Sequence, residues 1–112
     1  MTRITTHILD TSGGRPAEGV KVTLCRMQVD DWAVVAKGET NADGRIGDWA
    51  AADGVPGNGI YIMRFETKDY FDRLGIPSFY PFVEVHFEVT TEGHYHIPLL
   101  LSPYGYSTYR GS

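Results

Sequence analysis

Along Val83–Val89 apolar and polar residues alternate without a break, with Val83, Val85, Phe87 and Val89 on one side and Glu84, His86 and Glu88 on the other. Successive side chains of an extended chain point to opposite faces, so this pattern specifies a half-buried strand. The same alternation recurs elsewhere. Ile4, Thr6 and Ile8 face away from Thr5, His7 and Leu9, and Val20, Val22 and Leu24 face away from Lys21, Thr23 and Cys25. Residues 32–39 and 60–65 are strand-like in composition, residues 94–101 form a further strand, and short strands are expected over 45–47 and 106–110. Thirteen glycines and six prolines separate these segments, marking turns or loops at 11–16, 41–44, 53–59, 92–93 and 103–105. Seven to eight strands at regular spacing predict an all-β, two-sheet β-sandwich. One stretch, 67–74, carries helix signals: Thr67 to cap, Asp69 in the first turn, Gly75 and Pro77 beyond the end. Pro98 has no backbone donor to give a ladder, which predicts a bulge or an unpaired position.

At 112 residues one domain over 1–112 is expected, large enough for a modest core. Ten Lys and Arg against 14 Asp and Glu give a net charge of −4 with no basic cluster, which argues against a nucleic-acid partner. The aliphatic run at 99–101 is far too short to span a membrane. The first residues show no apolar stretch of the secretory kind. The lone Cys25 cannot form an internal disulfide, which favours a reducing compartment, and the cytoplasm is the expected location. No motif surrounds Cys25, so an inert thiol is expected. Trp32 and Trp49 read as packing residues, and the Glu84, His86, Glu88 stripe as a solvated or subunit-facing strand side.

Three residues stand out for chemistry. His7 lies opposite Ile4 and Ile8, and His96 shares a face with His94, Pro98 and Leu100, so neither points into a sandwich core. The plain reading is two surface histidines. Yet both outward faces also carry apolar residues, with Leu9, Pro98 and Leu100 expected to be exposed, and an apolar outer sheet face usually meets a partner. Histidines desolvated there titrate in the range useful for proton transfer. Arg45 follows the Asp43-Gly44 turn. It is either a solvated loop cation or a planar fork able to grip adjacent oxygens. His94 and His96 with His7 have spacing for zinc, but no carboxylate or Cys accompanies them in these motifs, and no metal is assigned. No Gly-x-Ser-x-Gly elbow supports a serine nucleophile. The final Tyr109-Arg110-Gly111-Ser112 is rich in ring, guanidinium and hydroxyl groups and reads as part of a site rather than a fraying end.

Four blocks occur in order: Thr6-His7-Ile8-Leu9-Asp10-Thr11 through Gly14 and Pro16-Ala17; Thr40-Asn41-Ala42-Asp43-Gly44-Arg45; His94-Tyr95-His96-Ile97-Pro98-Leu99-Leu100-Leu101-Ser102-Pro103; and the Tyr-Arg-Gly-Ser end. Together they resemble the transthyretin-like 5-hydroxyisourate hydrolases over nearly the whole chain. The resemblance implies a transthyretin-like sandwich and a homotetramer with sites where two sheets meet across a subunit interface. The implied reaction is hydrolysis of 5-hydroxyisourate, without cofactor, to 2-oxo-4-hydroxy-4-carboxy-5-ureidoimidazoline in urate catabolism. By the same resemblance His7, Arg45, His96 and Ser112 form the catalytic set, and Tyr109 and Arg110 join His7 and Arg45 in holding substrate. One histidine deprotonates the attacking water. His96 is taken as that base and His7 as its partner, an assignment the sequence does not separate from the reverse. The alternative is a non-catalytic transthyretin-like carrier of small ligands. A structural sandwich used in assembly or adhesion is a third class.

Overall fold

A computed structural model describes residues 2–46, 49 and 57–111. The strands are β1 (Arg3–Asp10), β2 (Arg15–Pro16), β3 (Lys21–Met27), β4 (Trp32–Glu39), β5 (Gly59–Phe65), β6 (Val83–Val89), β7 (His94–Ser102) and β8 (Gly105–Thr108), with one helix, α1 (Thr67–Arg73), after β5. They form two four-stranded sheets, ordered β2-β1-β7-β8 and β4-β3-β5-β6. Period-two alternation turns one face of each sheet inward. Ile4, Ile8, Leu99 and Leu101 from the first sheet and Val22, Leu24, Met63 and Phe65 from the second belong to one buried core. Burial of each such side chain contributes about 1.5–3 kcal/mol.

The feature that places the site is the parallel pairing of β1 with β7. It runs unbroken from Arg3↔His94 to Asp10↔Leu101 and sets Thr5 beside His96 and His7 beside Pro98. The β1 edge away from β7 is covered in two pieces. β2 pairs with Leu9 and Asp10, and Arg45 bridges to His7.

Several boundaries differ from expectation. β2 lies inside the stretch read as loop. Arg45 makes a single bridge rather than a strand over 45–47, and Gly47 lies outside the described residues, as does 53–56 of the expected loop. The last strand covers Gly105–Thr108 instead of 106–110. The helix cap is Glu66, and it makes no side-chain capping bond. Thr67 is already helical, with a buried hydroxyl that has no partner. Helix α1 is held instead by Tyr70, whose hydroxyl donates to Asp10 at 2.8 Å.

Pro98 produces no bulge. Leu101 O accepts from Thr11 N and His96 O from Gly111 N, so even-numbered residues of β7 direct their backbone groups away from β1. The missing donor of Pro98 therefore falls on the β8 side. There the ladder stops at Leu99↔Thr108, and the Pro98 carbonyl accepts from the Thr108 hydroxyl at 2.6 Å. Tyr109 and Arg110 arch past this gap before Gly111 bridges to His96. Pro98 is itself buried, contrary to the exposure expected of it, while Leu9 and Leu100 are half-buried.

Candidate active site

Arg45 is carried by a turn with little freedom. Asn41 Oδ1 accepts from the backbone N–H groups of Asp43 (2.9 Å) and Arg45 (3.1 Å). Asn41 N donates to Arg45 O at 2.7 Å, and Gly44 N to Asn41 O at 2.9 Å. Gly44 adopts φ of 75°, and a Cβ there would lie 2.5 Å from Ile8 O. Only glycine suits both the left-handed backbone and this approach. Ile8 N then donates to Gly44 O at 2.9 Å, which docks the turn on β1 and sets Arg45 against His7.

His7 and His96 both sit half-buried on the outer face of the first sheet. Burial lowers the pKa of His7 below the ordinary 6.5, and the charge of Arg45 lowers it further, against an opposing contribution from the Asp43 backbone and carboxylate. His96 is lowered by burial first, then by Arg45, His94 and His7. Arg45 thus acts on both imidazoles, and both shifts favour the neutral ring.

His96 is held from two sides. Its Nδ1 lies 2.8 Å from Thr5 Oγ1, and the same hydroxyl lies 2.7 Å from His94 Nε2. On the other side Gly111 presses close, since a Cβ on it would fall 2.5 Å from His96 Cδ2. Gly111 N donates to His96 O at 2.8 Å. The tail thus reaches the histidine through a residue with no side chain.

A cavity of ≈ 320 Å³ is lined by Arg3, Thr5, Asn41, Arg45, His94 and His96, among others. His7 is not in its lining, although it is bridged to Arg45. Tyr109 and Arg110 line a second hollow, of ≈ 260 Å³, beside β6, with His96 common to both. Tyr109 is 57% exposed, and the Arg110 guanidinium stands 4.5 Å from the Tyr95 ring centroid. The fold therefore groups His7, Arg45 and His96, and puts Tyr109 and Arg110 on the tail side of His96. Ser112 lies outside the described residues. Thr5 is an addition, and through it His94, already placed on the face of His96 by the sequence, is tied to that ring. The sequence marks Thr5 as outward-facing beside His7, but its meeting with His96 depends on a pairing 91 residues apart. Cys25 is half-buried, and burial pushes its pKa up, which disfavours the reactive thiolate. Trp49 packs against the core and donates from Nε1 to Ile4 O at 2.8 Å.

Known proteins share this arrangement of strands. A Schizosaccharomyces pombe protein named "Probable 5-hydroxyisourate hydrolase" is 49% identical, over 97% of this chain and 90% of its own length. The structure of Klebsiella pneumoniae 5-hydroxyisourate hydrolase superposes with a TM-score of 0.86 at 41% identity, covering 99% of this chain and 100% of that one. Sea bream transthyretin in complex with thyroxine superposes at 0.89 with 33% identity, covering 96% and 93%. The HIUase/Transthyretin family profile matches residues 4–111, and this chain belongs to that family.

Proposed function

We propose that this protein is a hydrolase that opens the ring of 5-hydroxyisourate, as the names of its relatives indicate. The observation that carries this reading is the grouping of two histidines around one guanidinium on the outer face of the first sheet, with burial and that guanidinium favouring the neutral rings. Thr5 engages Nδ1 of His96 and leaves Nε2 as the ring atom available to a water. That nitrogen takes a proton as the water attacks a ring carbonyl. Arg45 offers a planar fork to the oxygen on which negative charge develops, a contribution that is largest when the donor is already in place. His7, beside Arg45, orients the water or steadies that charge. Tyr109, Arg110 and Ser112 complete the pocket from the tail side, and the product is 2-oxo-4-hydroxy-4-carboxy-5-ureidoimidazoline. The active form is a homotetramer whose sites lie at a subunit interface, a reading supported by the half-buried Leu9 and Leu100 on the same outer face.

The likeness to a thyroxine-bound transthyretin favours a second reading, a carrier of small ligands. One assay separates the two. Freshly generated 5-hydroxyisourate should lose its ultraviolet absorbance faster with the protein than without it. His7→Ala and His96→Ala should each slow this by about 10²–10⁴-fold, the usual contribution of a positioned acid–base group, with an unchanged circular dichroism spectrum. Unaccelerated decay would leave the carrier reading in place.

A further inference from the structure

The Thr5 hydroxyl has a single proton, yet it sits within hydrogen-bond distance of two ring nitrogens, His94 Nε2 at 2.7 Å and His96 Nδ1 at 2.8 Å. It can donate to only one of them, so the other ring must donate to it. Two arrangements satisfy this. In one, His96 Nδ1–H donates to Thr5 and Thr5 donates to His94 Nε2, which leaves His96 Nε2 bare. In the other, His94 Nε2–H donates to Thr5 and Thr5 donates to His96 Nδ1, which leaves the remaining proton of His96 on Nε2. The hydroxyl thus makes the tautomers of the two histidines interdependent. The surroundings also differ. His96 is half-buried beside Arg45, whereas His94 is exposed at the start of β7.

We propose that Thr5 and His94 are positioning residues that act on His96 as a tautomer lock and proton relay, with His94 as the exit to solvent. This rests on the reading of His96 as a base. In the first arrangement the proton leaving water forms a bond to His96 Nε2. The Nδ1 proton passes to Thr5 Oγ1 as the Thr5 proton passes to His94 Nε2. One proton enters, one O–H and one N–H bond break and re-form along the chain, and the positive charge ends on His94 rather than beside Arg45. No oxidant or further reactant is involved. His94, exposed to solvent, releases a proton to buffer. The Nε2 proton of His96 passes to the substrate's ring nitrogen as its bond to the carbonyl carbon breaks. The Thr5 proton then returns to His96 Nδ1, the His94 Nε2 proton moves to Thr5, and His94 takes a proton back from buffer, which restores the first arrangement.

Three measurements on the full-length protein test this. Thr5→Val, which keeps the shape and removes the hydroxyl, should lower kcat about tenfold or more with little change in KM, and Thr5→Ser should recover most of the loss. His94→Gln can still bond to Thr5 but cannot carry the proton, so its kcat should rise with added imidazole buffer while that of the wild type stays flat. Nitrogen-15 NMR of the resting protein should show His96 as a single tautomer protonated at Nδ1, and a shift of that proton to Nε2 in Thr5→Val. A Thr5→Val enzyme with wild-type kcat, or Thr5→Ser as impaired as Thr5→Val, overturns the relay. So does a His96 tautomer indifferent to the hydroxyl. The NMR measurement requires no turnover. A fully active His96→Ala would overturn the reading of His96 as base, whereas an inactive His96→Ala beside a normal Thr5→Val would remove the relay alone.

Discussion

At the scale of single residues, the site is organised by what Arg45 does to its neighbours. A fixed cation beside an imidazole makes a second positive charge unfavourable, and burial adds to this by penalising the ionised form. For His7 and His96 the two causes act in the same direction, and both pKa values fall below 6.5. The charged and titratable groups around His96 are His94 on its own strand, His7 and Arg3 on β1, Arg45 from the turn, and His86, Glu88 and Arg110 across the second hollow. Asp43 adds an opposing charge at His7. A lowered pKa keeps each ring unprotonated, and so able to accept a proton, further into acid than an ordinary histidine. The acid limb of kcat/KM should therefore have its midpoint below pH 6.5, and a pH–rate profile checks this. A midpoint at or above that value would mean that burial and Arg45 do not lower the pKa of the ring that acts as base. Stability follows the same sign. As pH falls from 6.5 towards the lowered values, the unfolded chain takes up protons before the folded one does, so the contribution of these groups is lost across that window.

At the scale of elements, two short backbone bridges matter more than any whole strand. The Asn41–Arg45 turn delivers the guanidinium, and the tail delivers Gly111. Replacing Gly111 by Ala puts a methyl carbon 2.5 Å from His96 Cδ2 and 3.2 Å from His96 Cβ. Ring or tail must then move. A displacement of ~1 Å at a reacting group can reduce rate about 10²-fold. Gly111→Ala should thus lose at least tenfold in turnover, read by the absorbance assay, while its melting temperature stays within a few degrees of the wild type. Near-normal turnover would show that the tail has no hold on His96. The strands themselves were legible in the sequence, Val83–Val89 through its alternation and Trp32–Glu39 through its composition, both to the residue. The bridges were not, because one backbone hydrogen bond leaves no periodic trace. Thr67 looked like a cap by residue type, but its burial in the core side of α1 took it into the helix. Of the site, His7, Arg45 and His96 could be read from motifs. His94 could be placed on the face of His96, but Thr5 could not be joined to either, since parallel pairing of the first and seventh strands is a tertiary choice that neither strand encodes alone.

At the scale of the whole molecule, that parallel pairing puts the residues of the proposed site and of the proposed subunit contact on one surface. Outward-facing positions of β1 and β7 alternate with core positions, so the strands that carry His7 and His96 also carry Leu9 and Leu100, which face each other in register. Both leucines are only half-buried in the single chain. Full burial of such a side chain contributes about 1.5–3 kcal/mol, and since both are already partly buried, only a fraction of that remains to be gained. Across a symmetric contact each one counts in both subunits, a modest share of what a stable interface of about 1,200–2,000 Å² requires. A site built on this face would be desolvated by the contact itself, which would strengthen the pull of Arg45 on developing charge. Leu100→Lys tests the coupling. Leu100 turns away from the sandwich core, so the fold should survive, as circular dichroism would show, while a buried ammonium in each subunit opposes assembly. Light scattering should report a tetramer for the wild type and smaller species for the variant. Turnover per chain should fall in the same protein concentration range over which the assembly dissociates. A Leu100→Lys monomer with full activity would place the whole site within one chain, with the leucines serving some other contact.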